Sequence, residues 1–299
     1  MPRLRKASSV DVVVIGHFAV DRLVVRGNEA VASGGSVYYG AIALRRLGQR
    51  VAVVTRLHAD DFPRLEELKD EGILVFAEPA PQTSGIENVY YTEDMDRRHC
   101  TPLGFAGPFR LDDVPDLQAR VYLIGPIMAG EVDLAFLRRM AARGSIALDA
   151  QGFVRVREGN ELLLKDWPDK EQGLRLVHWL KADAAEAEVL TGTTDLWAAA
   201  RALATLGPHE VVLTHASGVL VWADGQFHEA PFTARQLSGR TGRGDTCFAA
   251  YLSKRRTAPP AEACRFAALI TSLKMEAPGP FRGFPDEAQH RPFHPTERL

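Results

Sequence analysis

The chain has 299 residues, 46% of them apolar, with 36 basic against 38 acidic side chains and a net charge of −2. That suits a soluble α/β protein of one large domain or two smaller ones and argues against a nucleic-acid face, because Arg45-Arg46, Arg97-Arg98 and Lys254-Arg255-Arg256 read as solvated surface. Cys100, Cys247 and Cys264 are scattered without CxxC spacing, which disfavours a disulfide framework or a thiolate zinc site and suits a reducing, cytoplasmic setting.

The opening MPRLRKASSV is basic, but the apolar run after it is too short for a signal sequence or a membrane span. That run, residues 10–15, is β-branched and ends at Gly16, so it reads as a strand buried on both faces, hence parallel and central. Asp21 follows in the next turn. Ligands of open α/β sheets gather beyond the carboxyl ends of strands, which makes Asp21 a candidate contact for a hydroxylated substrate; the competing reading is a loop aspartate satisfying local N–H groups. Phe18 and Asp21 stand where a dinucleotide-binding turn needs glycines, so that class is set aside.

Short strands at 23–25 and 30–32 flank a turn at Gly27-Asn28 and lead to Gly34-Gly35. Paired glycines before a helix either admit a ligand to the backbone or make a tight strand-to-helix turn. A small-residue helix over 36–47 stops at Gly48; a strand at 51–54, a polar helix at 61–71 and a strand at 73–76 follow. Strands at 87–92 and 99–103 bracket a charged turn at 93–97. Together with residues 18–33, the stretch 86–108 is expected to form a small β lid that keeps water from a site at one end of the domain. An exposed edge of that lid either pairs two copies into a homodimer or stays capped by loops.

From 120 to 214 strand-like and helical periods alternate, which predicts a doubly wound, mostly parallel sheet flanked by helices. The turns Gly125-Pro126, Asp149-Ala150-Gln151-Gly152, Lys181-Ala182-Asp183 and Thr214-His215-Ala216-Ser217-Gly218 then fall on one edge, beside Asp21. Asp183 and Glu186 begin a helix, where they either hold a hydrated magnesium ion or make an ordinary acidic first turn. Thr214 and Ser217 are candidate phosphate contacts, and Asp224-Gly225 marks a hairpin.

The most chemical stretch is Gly239-Arg240-Thr241-Gly242-Arg243-Gly244-Asp245, a glycine loop that opens an apolar helix. Unpaired N–H groups and the positive end of the helix dipole make such a start an anion site, most often for phosphate. Asp245 at its mouth either takes a proton from a substrate hydroxyl or merely caps the helix. A last apolar helix covers 261–275, and the Pro- and His-rich tail, 283–299, is expected to be poorly ordered.

In order and spacing these pieces resemble the PfkB-type carbohydrate kinases, also called ribokinase-like, from about residue 10 to 281. Gly34-Gly35 with its helix is similar to the early family signature, the glycine loop to the late one usually written DTxGAGD, and LKADAAEAEVLTG to the Asn-x-x-Glu segment. The resemblance implies a single ribokinase-like α/β domain over 1–299 that uses ATP and Mg²⁺ to phosphorylate a small sugar or polyol, with Asp245 as base and Gly242, Arg243 and Gly244 as the anion hole. It further implies substrate contacts at Asp21, Gly34, Gly35 and Gln151, nucleotide contacts at Asp183, Thr214, Ser217, Gly218, Thr241, Gly242 and Gly244, and magnesium near Glu186 and Asp183 through water. Five positions depart from the pattern: Gly239-Arg240 replaces Asp-Thr, Arg243 an alanine, Asp183 an asparagine and Ala216 a glycine. DAQGFVRV and SLKMEAPGPF look most like the myo-inositol kinase branch. A nucleoside kinase of the same fold, and a relic that binds nucleotide without transfer, are the rival readings; neither nucleic acid nor membrane is an expected partner.

Overall fold

The structure, a computed structural model, describes residues 10–25, 27–90 and 98–283; the predicted turn at 93–97 and the predicted tail from 284 onward lie outside the described residues. β1 (Val10–Ile15) is buried at every position and pairs in parallel with a strand on each side. Its alternate residues feed two cores: Val12 and Val14 one, Val13 and Ile15 the other. The chain then leaves the main sheet for the hairpin β2 (Ala19–Val25) and β3 (Asn28–Gly34), both longer than the predicted strands. α1 (Ser36–Arg46) brings it back to β4 (Val51–Leu57).

The predicted helix over 61–71 divides into a 3-10 segment, Ala59–Leu65, and α2 (Glu66–Asp70). Pro63 lies in the first part and has no N–H to give to an α-helical ladder, so the chain winds tightly until it is passed. After β5 (Leu74–Pro79), the strands β6 (Gly85–Tyr90) and β7 (Arg98–Gly104) make a second antiparallel pair. β2 and β6 pair in parallel, giving a small sheet of order β3-β2-β6-β7.

Alternation follows as expected: β8 (Ala119–Ile124), α3 (Leu134–Ala141), β9 (Ser145–Asp149) and α4 (Gln151–Val154). A hairpin that the sequence reading did not foresee, β10 (Arg155–Glu158) and β11 (Glu161–Leu164), precedes α5 (Lys170–Leu174). The guanidinium of Arg157 stacks 3.8 Å from the ring centre of Phe105, just beyond β7. β12 (Val177–Asp183), α6 (Ala184–Thr191), α7 (Leu196–Thr205) and β13 (Glu210–Thr214) continue the winding, and β14 (Gly218–Ala223) with β15 (Gln226–Pro231) add an antiparallel edge. α8 (Arg243–Arg255) and α9 (Pro260–Met275) close the fold.

The main sheet has nine strands in the order β15-β14-β13-β12-β9-β8-β1-β4-β5, parallel from β13 through to β5. Helices α1, α8 and α9 cover one face and α3, α6 and α7 the other, as the two apolar clusters show. Among the described residues no helix is long and apolar enough to cross a membrane.

A buried polar knot anchors the small sheet. Glu131 accepts from the backbone N–H groups of Ile127 (2.7 Å), Met128 (2.9 Å) and His17 (3.2 Å), while the His17 ring meets Ser84 Oγ at 2.7 Å and the Gly107 carbonyl at 2.8 Å. Burial pushes the Glu131 carboxyl up to about 8 and the His17 ring down to about 3, so the two meet as neutral partners. Glu131→Ala would orphan three buried donors and is expected to cost about 3 kcal/mol or more in urea unfolding, while Glu131→Gln, which keeps one acceptor oxygen, costs less.

Candidate active site

The carboxyl ends of β8, β9, β12 and β13 open, together with the start of α8, into a cleft of about 740 Å³ covered by the small sheet and the β10–β11 hairpin. Asp245 lines it from the first turn of α8. The turn is set by Gly242, whose φ of 78° lies in the left-handed region and whose place a side chain cannot share: a Cβ there would fall 2.2 Å from Tyr39 Cγ. Gly242 therefore packs directly against the Tyr39 ring. The Arg243 N–H is taken by the Arg240 carbonyl at 3.1 Å, so an anion at this helix start is left to the amides beyond it, at Gly244 and Asp245, which also line the cleft. The Arg243 side chain faces the cleft with its guanidinium 5.8 Å from the Phe232 ring centre.

Gly242 is the N-cap of α8 and no side chain makes a capping bond there, so the Asp245 carboxyl is not spent on the helix end. Ser36 Oγ at the start of α1 donates a short hydrogen bond to Asp245 Oδ1. Burial, and then the neighbouring Asp149 charge, push the Asp245 carboxyl above its ordinary range; the Ser36 hydrogen bond, Lys181 and Lys274 oppose them. Raising a carboxylate toward neutrality while keeping cations beside it is how a site prepares an acid–base group.

Lys181, at the carboxyl end of β12, is 4% exposed and bonds Asp149 Oδ1 at 3.1 Å, with Glu186 Oε2 at 3.5 Å. Burial alone would strip its proton, but Asp149, Glu186, Asp183 and Asp245 outweigh it and hold the ammonium above the ordinary lysine range. A Cβ on Gly244 would come within 3.2 Å of Lys181 Nζ, so this fixed positive charge sits directly beneath the glycine loop. Arg155, Lys181, Arg240 and Arg243 all line the cleft.

On the acceptor side, Asp21 is 9% exposed, accepts from the Ile86 N–H at 2.8 Å and lines the cleft. Gly34 lies behind it: a Cβ there would meet Asp21 Oδ2 at 2.7 Å. Gly35 lines the cleft with a φ of 87°, and Gln151 does so while donating to the Ile127 carbonyl at 3.1 Å. Asp183, Thr214, Thr241, Gly242 and Gly244 are also in the wall. Ser217 and Gly218 are not; Ser217 instead meets His215 Nδ1 at 3.2 Å. Glu186 stands behind the wall, 1% exposed, where its carboxylate accepts from the Asp183 N–H at 2.7 Å and the Asp183 side chain returns a bond to the Glu186 N–H at 2.8 Å.

The sequence reading assigned no role to Asp149, Arg155, Lys181, Ser36 or Asn88. Lys181 lies two residues before Asp183 at the end of β12, and nothing in its spacing shows its partner Asp149; Asn88 on β6 lines the cleft and accepts from Cys100 Sγ at 3.4 Å, a pairing across strands that spacing alone does not show. Among the described residues no group of three or more His, Cys, Asp or Glu side chains has the geometry to hold a metal. A magnesium ion carried mainly by phosphate oxygens and water still fits, with Asp183 in the wall and the buried Glu186 Oε1, which has no hydrogen-bond partner, behind it.

Residues 12–286 match the family model described as pfkB family carbohydrate kinase. A solved pyrophosphate-dependent kinase of the ribokinase family, complexed with a pyrophosphate analogue and myo-inositol, is 38% identical, superposes with a TM-score of 0.85, and the match covers 91% of this chain and 97% of that one. A cytidine kinase from Thermococcus kodakarensis is 28% identical over 270 residues, 85% of this chain and 92% of the relative. An Arabidopsis thaliana ribokinase bound to ribose and ATP shares the fold, with a TM-score of 0.73 at 20% identity over 94% of this chain and 97% of its own.

Gly242→Ala is expected to cost about 1–2 kcal/mol for its left-handed backbone, and more for the displaced Tyr39 ring. A thermal melt and an assay of phosphoryl transfer should both register the change.

Proposed function

Because the chain belongs to the pfkB family of carbohydrate kinases, we propose that it transfers a phosphoryl group from inorganic pyrophosphate to one hydroxyl of a cyclic polyol of the myo-inositol kind. The observation that carries this reading is the convergence of Arg155, Lys181, Arg240 and Arg243 on the cleft that Asp245 lines. These four cations suit the phosphates of a compact donor, and the carboxylates of Asp21, Asp149, Glu161, Asp183 and Asp245 in the same wall suit its metal ion and the acceptor hydroxyls. ATP, the donor implied by the sequence resemblance, has the same phosphates and also a nucleoside to seat; Ser217 and Gly218, expected to meet it, are outside the cleft wall. The 38% identical relative is itself pyrophosphate-dependent, whereas the ATP-bound ribokinase shares only the fold.

In this reading Asp245 accepts the proton of the attacking hydroxyl, Ser36 orients its carboxylate, and the amides of Gly244 and Asp245 with Lys181 hold charge on the moving phosphoryl oxygens. Magnesium, when bound near Asp183 and Glu186, neutralises donor phosphate charge. Asp21, Asn88 and Gln151 read the ring hydroxyls, and the small sheet is the lid that excludes water. Any homodimer is expected along β3, one of the two outer strands of that sheet, where Val31 is 61% exposed.

A matrix of pyrophosphate and ATP against myo-inositol, ribose, fructose, cytidine and adenosine, scored by phosphorylated product, tests the assignment. Pyrophosphate with myo-inositol should be fastest; a preference for ATP would replace the donor, and a preference for cytidine, the acceptor of the 28% identical relative, would replace the polyol. Asp245→Asn should lower turnover by about two orders of magnitude with little change in melting temperature, and near-normal turnover would remove Asp245 from the role of base.

A further inference from the structure

One buried cation has no part in the scheme above. Lys274, near the end of α9, is 2% exposed and donates to the Gly239 carbonyl at 2.5 Å, with its ammonium 5.1 Å from the Tyr39 ring centre. Tyr39 is the ring on which Gly242 lies, so Lys274 grips the glycine loop at its incoming end and touches the platform beneath its middle. The same stretch is laced to the end of α9 elsewhere: the Gly239 N–H donates to the Met275 carbonyl at 2.9 Å, and Ser238 Oγ and Gln236 Nε2 donate to the Glu276 carbonyl at 2.7 and 2.8 Å. Those neutral bonds tie the same stretch to α9 alongside the lysine. A lysine buried at this point costs desolvation that an apolar side chain would not, and what distinguishes it is its charge near Asp245.

We infer that Lys274 is a positioning residue of the phosphoryl-transfer site: its buried ammonium fixes the Gly239 end of the glycine loop and lends positive potential to the Asp245 carboxylate and to the donor phosphates. The inference rests on the phosphotransfer reading but not on which acceptor is used. The ionisable groups around Lys274 are Asp245 from α8, Tyr39 from α1, and Glu276 and Arg282, which border the 360 Å³ hollow that its side chain lines. Burial brings its ammonium down to about 8 despite the attraction of Asp245, so the charge is present at neutral pH and is lost as pH rises through that value.

In the wild-type protein turnover should fall on the alkaline side of about pH 8, and in Lys274→Met this limb should vanish while turnover at neutral pH drops about tenfold or more. KM for the acceptor should stay within about twofold, because the acceptor contacts lie across the cleft, while methylenediphosphonate, a pyrophosphate analogue, should bind more weakly by calorimetry. A merely structural lysine would give the opposite pattern, a lowered melting temperature with an unchanged pH profile. In Lys274→Ala, added ammonium or methylammonium should restore part of the turnover by occupying the vacated space. The inference is overturned by a flat wild-type profile up to pH 10, or by Lys274→Met turnover within twofold of wild type with the alkaline limb intact. A wild-type protein without transferase activity would instead sink the reading beneath it, and weaker analogue binding by Lys274→Met would still report on the loop.

Discussion

The site depends on one buried charge being fully answered. The Lys181 ammonium is buried beneath Gly244, and a cation survives there because Asp149 and Glu186 stand against it, with Asp183 and Asp245 adding to them. Each partner comes from a different part of the winding: Asp149 from the end of β9, Lys181 from the end of β12, Glu186 from the first turn of α6. Burying an isolated ion is prohibitive, and burying a hydrogen-bonded set costs far less, so the three elements are held in mutual register by electrostatics as well as by the sheet. The glycine loop rests on the result. Its amides meet a surface whose sign is fixed before any ligand arrives, which is the sense in which such a site is preorganised.

That arrangement also explains why Asp245 is placed as it is. A carboxylate beside Asp149 and out of water drifts toward its neutral form, and only Ser36, Lys181 and Lys274 pull it back. The groups that pull it back come from α1, β12 and α9 together. A helix cap would need none of this. The two polar knots divide the labour: the charged one serves the glycine loop, while the neutral one around Glu131 and His17 fixes the turns on which the small sheet stands.

Much of the fold was legible because its signals are local. The β-branched run of β1, the alternation between β8 and β13 and the Asp224-Gly225 turn are set by neighbours in the chain, and the nine-stranded, mostly parallel sheet follows from them. Pro63 shows the limit of periodicity, since the apolar spacing of a helix continued through a residue that cannot join its ladder. The hairpin β10–β11 was missed because Arg155–Glu158 and Glu161–Leu164 are short and lack clean alternation, and their partner surface is distant in sequence. For the site, Asp245 and the glycines announce themselves through spacing, as do Asp21 and Gln151 through strand ends. Lys181, Ser36, Asn88 and Lys274 do not, because each matters through a group more than ten residues away or across a sheet, and Glu186 looks from sequence like part of the wall although the capping box turns it inward.

The stacking of Arg157 on Phe105 joins the two covers of the cleft, one from the hairpin and one from the end of the small sheet. Neither can swing outward alone without parting that pair, a separation costing on the order of 0.5–2 kcal/mol. The hairpin that carries Arg155 into the cleft wall is thereby braced against the end of the small sheet by a contact that lies outside the wall itself.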